Sequence, residues 1–227
     1  MNSPDDLARI FHEQGFASFD LSLYLSGLED VALQAAQVPD DAWRAVVRNH
    51  HGQFDFASQQ KRTIIRQHRV ASSDLARGRF AYSFQWIDSS HGSPFLSPAK
   101  AFLDNEEFRR LLTRITGRAP SAVSQFYLSR YVRGSFLSTH CDPGQSYGIV
   151  LNLTHQWNPD HGGLTVILEK DRQHVRACLC PTLFSILIFD TSQRSIPHFV
   201  SMVGATAPSP RIALVARFHD EATLGNA

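Results

Sequence analysis

Three side chains in the second half of this chain have the types and spacing to hold one metal ion: His140, Asp142 and His198. His140-Cys141-Asp142 ends an extended run and precedes the turn residues Pro143-Gly144. In an extended chain residues two apart face the same side, so His140 and Asp142 can address one ion while Cys141 points away. His198, in Ile196-Pro197-His198-Phe199, opens another extended run 58 residues later. Two imidazoles and one carboxylate on one face leave three adjacent coordination positions open, a set suited to ferrous iron activating dioxygen. Arg211 stands 13 residues beyond His198 and heads the apolar run Ile212-Ala213-Leu214-Val215-Ala216. A buried guanidinium there can take the distal carboxylate of a 2-oxo acid, preferably through two parallel hydrogen bonds.

The other histidines read differently. His155 and His161 flank Trp157 in a hairpin loop, and the strand after Asp142 should carry them toward the opposite end of a barrel. His174 and His219 read as solvated strand ends. His50-His51-Gly52 follows Trp43, Val46 and Val47, a pattern that predicts a helix C-terminus, where imidazolium is favoured. Cys178-x-Cys180 predicts buried core thiols.

The elements that must position the candidate ligands change character near residue 120. Before it, helices are expected. Ser3-Pro4-Asp5-Asp6 is a good helix start with Gly15 as its stop, and a short strand should follow over Phe16–Leu21. Leu28, Val31, Ala32 and Ala35 recur at helical spacing, Ser97-Pro98 opens another helix, and Asn105 begins one that stops at Gly117. Residues 72–98 read as loops with a strand near Phe80–Trp86. From Ser124 onward the chain reads as seven short strands, at about 125–133, 147–154, 164–168, 175–179, 184–189, 198–203 and 212–218. Strands at that spacing, parted by Gly, Pro and Asn turns, predict a mainly β protein with flanking helices, a double-stranded β-helix or jelly roll. We divide it into a helical part, residues 1–120, packing on a jelly-roll core, residues 121–227, within one structural domain.

Bulk properties narrow the function. The chain has 227 residues and a formal net charge of +1, so no global electrostatic case exists for nucleic acid or a membrane surface. No apolar run approaches the ~20 residues of a membrane span, and no secretory leader opens the chain. Three cysteines, an odd and sparse set, suggest reduced thiols in a cytoplasm. The one charge asymmetry is the run Lys61, Arg62, Arg66, Arg69, Arg77 and Arg79, read as a solvated helix face or as a rim attracting an anionic substrate.

The ordered set YVRGSFLSTHCDPG, WNPDHGGLTVIL, CPTLFSILIFD, IPHFVSMV and PRIALVARF resembles the prolyl-4-hydroxylase-like branch of the 2-oxoglutarate and Fe(II)-dependent oxygenases. The likeness covers roughly residues 124–219, and DNEEFRRLLTRITG upstream resembles the helix preceding the core in that branch. It implies Fe(II) on His140, Asp142 and His198, 2-oxoglutarate on Arg211 with Tyr131 assisting, and dioxygen as the oxidant. It also implies Gly162-Gly163 as a tight hairpin. Arg217 stands where many relatives carry tryptophan, and Asn152-Leu153-Thr154 replaces their Tyr-Leu-Asn. The expected reaction is hydroxylation of an unactivated carbon of an amino acid, free, carrier-bound or within a peptide, with release of succinate and CO2. The alternative from another class is a catalytically silent jelly-roll module that binds a metal or ligand. A homodimer is left open.

Overall fold

The computed structural model describes residues 2–142, 146–192 and 196–220. The turn expected at Pro143-Gly144 lies outside the described residues.

Helix α1 (Pro4–Gln14) starts on the Ser3 cap, whose hydroxyl accepts from the Asp6 N–H while the Asp6 carboxylate accepts from Ser3 N–H. It stops at Gly15, which takes the left-handed conformation at φ +81°. Strand β1 (Phe16–Asp20) and helix α2 (Leu28–Ala36) follow. Strands β2 (Arg44–Asn49) and β3 (Gly52–Ala57) form a hairpin, then come helix α3 (Lys61–Ala76) and strand β4 (Tyr82–Asp88). Helices α4 (Ser97–Leu103) and α5 (Glu106–Thr116) lead into the second half, with Asn105 capping α5 and Gly117 ending it. That half contributes β5 (Pro120–Tyr131), β6 (Phe136–His140), β7 (Tyr147–Asn152), β8 (Thr165–Leu168), β9 (Val175–Leu179), β10 (Ser185–Asp190), β11 (His198–Val200) and β12 (Arg211–Asp220).

All the pairings are antiparallel. One wall runs β3-β2-β4-β5-β12-β7-β10-β1, the other β6-β11-β8-β9, and β4 joins them by pairing with β6. This is a jelly roll with a mouth between its walls. The sheet period of two sorts the long wall's side chains. On β12, Ile212, Leu214, Ala216 and Phe218 face outward, and Leu214, Ala216 and Phe218 join the main core cluster with α1, α2, α4 and α5. Arg211, Val215 and Arg217 alternate with them and line the interior. Burial of the apolar faces of Leu7, Phe11, Phe108, Leu112 and Ile115 against that sheet fixes the helices on its back. Helix α3 instead packs on β2 and β4 through Ala71, Val47 and Ala81.

Two expectations are corrected. Residues 43–51 are not the end of a helix: Arg44–Asn49 is a strand, and His50-His51 make the turn into β3. Val46 and Val47 are β-branched and bury opposite faces of one strand, Val46 toward the interior and Val47 against α3. Residues 1–120 thus supply four strands as well as the helices. Cys178 is exposed rather than buried, because β9 is an edge strand with little covering it; Cys180 is half-buried.

Candidate metal centre

His140 ends β6 and His198 opens β11, and the two are paired directly across the ladder. Their rings therefore stand side by side, with centroids 4.2 Å apart. Asp142, two residues beyond His140, brings Oδ1 to 3.6 Å from His140 Nε2 and Oδ2 to 3.8 Å from His198 Nε2. The three donor atoms lie within 4.8 Å of one another.

Backbone carbonyls fix the tautomers. His140 Nδ1 lies 3.1 Å from the Ser138 carbonyl and His198 Nδ1 lies 2.9 Å from that of Ile196. With each Nδ1–H donated there, both Nε2 lone pairs point at the Asp142 carboxylate. Burial, reinforced by the neighbouring His198 ring, pushes His140 down to about 4, so it is a neutral imidazole at neutral pH. Neutral imidazoles and an ionised carboxylate are the states a metal ligand set requires.

Arg211 heads β12 and is 1% exposed. Nη1 donates to the Gly163 carbonyl (2.5 Å), and Nη2 to Asn152 Oδ1 (3.2 Å) and Thr165 Oγ1 (3.0 Å). All three acceptors are neutral, Nε is buried with no partner, and no carboxylate pairs with it among the described residues. Burial pulls its pKa down to about 10, which leaves it charged at neutral pH. Tyr131, its partner across the β5–β12 ladder, places its ring 5.4 Å from the guanidinium carbon and stacks on Phe84. Burial raises the Tyr131 hydroxyl far above its ordinary value, so it remains a neutral donor.

The Gly162-Gly163 bend carries Arg211's first acceptor. Gly162 has φ +68°, and a Cβ there would lie 2.1 Å from the Met202 carbonyl oxygen. Trp157 Nε1 ties the same bend through the Gly162 carbonyl at 2.9 Å.

His140, Asp142, His198, Tyr131 and Arg211 all line one cavity of about 450 Å³. His155 and His161 lie outside that lining, and among the described residues no other group of three His, Cys, Asp or Glu has metal-site geometry. Several lining residues have no role in the sequence reading, and Arg217 enters it only where many relatives carry tryptophan. Arg217 donates to Asp142 Oδ1 at 2.9 Å and to Gln125 Oε1 at 2.8 Å, so a second arginine stands beside the Asp142 carboxylate. Tyr127 and, at its exposed rim, Arg48 also line the cavity. Strand alternation is the signal for both: Arg48 follows Val46 by two on β2, and Tyr127 precedes Tyr131 by four on β5.

No protein-family model matches the sequence, and no curated protein matches it either. Solved structures do match. A 2OG-Fe(II) oxygenase family oxidoreductase from Burkholderia pseudomallei superposes with a TM-score of 0.66 at 14% identity, over 96% of this chain and 91% of its own. A prolyl hydroxylase from Trichoplax adhaerens, solved with a hypoxia inducible factor oxygen degradation domain peptide fragment, gives 0.60 at 17% identity, over 97% and 91%. A Pseudomonas putida prolyl-4-hydroxylase gives 0.56 at 16%, over 96% and 99%. The chain has the jelly-roll fold of these oxygenases across nearly its whole length.

Proposed function

We propose that this protein is an Fe(II)- and 2-oxoglutarate-dependent dioxygenase that hydroxylates an unactivated carbon. The observation that carries the reading is Arg211: a fully buried cation with only neutral partners, in the same cavity as a His-Asp-His set. A buried charge without a counter-ion is costly, and a ligand carboxylate is the partner that completes it. The donor set fits the metal as well, since two neutral imidazoles and one carboxylate suit ferrous iron.

His140, Asp142 and His198 would hold the iron, and Arg211 the distal carboxylate of 2-oxoglutarate. Bound together, they supply the oxidation: one atom of dioxygen goes to succinate as 2-oxoglutarate loses CO2, and the other turns a substrate C–H into C–OH. The chain's own work is positional. The Ser138 and Ile196 carbonyls orient the imidazoles, and the Arg217 guanidinium holds one oxygen of Asp142. Tyr131 offers a neutral hydroxyl beside Arg211. Leu187, Phe189, Val150 and Val215 make an apolar lining that limits water.

The substrate in this reading is an amino acid, free, carrier-bound or within a peptide, and the likeness to a prolyl hydroxylase solved with a peptide supports the last of these. An odd, sparse set of three cysteines supports a reducing compartment, the cytoplasm. Among the described residues no helix is long and apolar enough to cross a membrane. Anaerobic titration of 2-oxoglutarate into the Fe(II)-loaded protein, followed by visible absorption of the chelate, tests the assignment. Saturable binding that needs both the metal and Arg211 is expected; a protein that takes up neither Fe(II) nor 2-oxoglutarate has another function.

A further inference from the structure

The outer half of the cavity has a charge that the metal and 2-oxoglutarate do not use. A cross-strand row runs Gln53–Arg48–Tyr82–Leu137–Val200 through β3, β2, β4, β6 and β11, and all five side chains line the cavity. Arg48 is exposed at the rim and has no hydrogen-bond or ion-pair partner among the described residues. Its neighbour Tyr82 is itself held by Gln53, to whose Oε1 it donates at 2.5 Å. Arg217 approaches from β12, two strands beyond β4 on the same wall; its Nε is buried without a partner among the described residues. Burial raises the Tyr82 hydroxyl above its ordinary value, and Arg48 and Arg217 both oppose that rise.

Formal charge makes the excess explicit. The lining contains Arg48, Arg211 and Arg217 against a single acid, Asp142. On the function proposed above, Fe(II) and the 2-oxoglutarate dianion cancel one another, so two positive charges stay uncompensated. Asp88 sits behind Gln125, accepting from its Nε2 at 2.9 Å, and offsets one of them at longer range. Asp55 is already paired with Arg44 at 2.7 Å. At least one positive charge is left at the mouth of a cavity of about 450 Å³, in the lower half of the roughly 300–1,000 Å³ of ligand sites. Part of that space belongs to 2-oxoglutarate. A substrate ammonium would find no free carboxylate among the lining residues, whereas an apolar body would find Phe84 and Trp86.

We propose that Arg48 and Arg217 bind the carboxylate of a small organic acid whose amino group is absent or acylated, with its apolar body against Tyr82, Phe84 and Trp86. This inference rests on the oxygenase reading, sets aside the free and carrier-bound amino acid as substrates, and puts in their place an acid with a free carboxylate and no free ammonium. It gives Arg217 two tasks, holding Asp142 and facing the substrate anion, and makes Arg48 a specificity residue.

The test uses the full chain loaded with Fe(II) and 2-oxoglutarate. Succinate formation above the substrate-free rate is measured with phenylacetate, N-acetylleucine and N-acetylproline, each against its primary amide, and with leucinamide and prolinamide as free amines. Carboxylates should stimulate turnover at least tenfold more than the matched amides or amines. Arg48→Glu should remove that response, and Arg48→Gln should weaken it, so a charge-reversed protein that fails to fold leaves a second variant to read. Equal or larger responses from the amides or amines would overturn the assignment. So would the absence of any carboxylate response in protein that still forms the anaerobic Fe(II)–2-oxoglutarate complex. Loss of that complex in the wild type would instead overturn the oxygenase reading, and this inference with it.

Discussion

Arg211→Met replaces a buried cation by an uncharged side chain of similar reach, and its effect should depend on which 2-oxo acid is offered. Burial lowers the guanidinium from its ordinary value to about 10, a penalty on the charged form of about 3 kcal/mol. An incoming carboxylate relieves that penalty and gains a charge-assisted pair. Removing one half of a buried pair costs roughly 3–5 kcal/mol. At 1.4 kcal/mol per tenfold, that is about a 10²–10³-fold or greater loss of 2-oxoglutarate affinity. Arg211→Lys keeps the charge but loses the fork that also serves Gly163, Asn152 and Thr165, and should fall between. Anaerobic calorimetry on metal-loaded protein measures these affinities, with pyruvate as the control because it lacks the distal carboxylate. Pyruvate binding should be nearly the same in wild type and Arg211→Met. Unchanged 2-oxoglutarate affinity, or an equal loss for both acids, would refute the argument.

Alanine at His140, Asp142 or His198 should abolish turnover and lower iron affinity by orders of magnitude, while His155→Ala changes neither; metal content by mass spectrometry and succinate assays decide this, and the reverse pattern would move the third ligand. In the metal-free protein His140 is held at about 4, so between that value and 6.5 the unfolded chain binds a proton that the folded chain refuses. Stability should therefore rise with pH across that window, and His140→Gln should flatten that part of the slope in urea titrations with chelator; an unaltered slope would contradict it. Gly162→Ala forces a Cβ onto the Met202 carbonyl in a left-handed conformation, whereas Gly27→Ala meets nothing within 4 Å. Gly27→Ala should cost only the left-handed penalty of about 1–2 kcal/mol; Gly162→Ala should lower the melting temperature much further and, by shifting Arg211's acceptor, weaken 2-oxoglutarate binding. Equal melting temperatures for the two variants would mean that the bend is not constrained as described.

The convergence of the candidate ligands was legible because each step is local. His140 and Asp142 are two apart in extended chain, Pro197-His198 opens a strand, and Arg211 heads an apolar one; the β period then points each side chain. What joins them is the β6–β11 pairing of His140 with His198, a long-range register that no local pattern specifies. Residues 43–51 were misread because Trp43, Val46 and Val47 satisfy helical spacing while Ala45-Val46-Val47 is also a run buried on both faces. Short apolar runs do not distinguish the two periods. That misreading hid Arg48, since only a strand puts it on the same face as Val46. In the sequence Arg217 stands out only as a departure from tryptophan; its bond to Asp142 depends on β12 lying beside β5, and on Gln125 opposite it. The exposure of Cys178 follows from β9 being an edge strand, which is a property of sheet order rather than of its sequence.

The central claim is that His140, Asp142, His198 and Arg211 form one oxidative site, and the most direct measurement is the fate of 2-oxoglutarate labelled at C1. Purified protein given Fe(II), dioxygen and the labelled acid should release labelled CO2 and succinate in equal amounts, dependent on both metal and oxygen. A protein that binds Fe(II) and 2-oxoglutarate but releases no labelled CO2, with or without the carboxylate panel, would contradict the account and leave a silent binding module in its place.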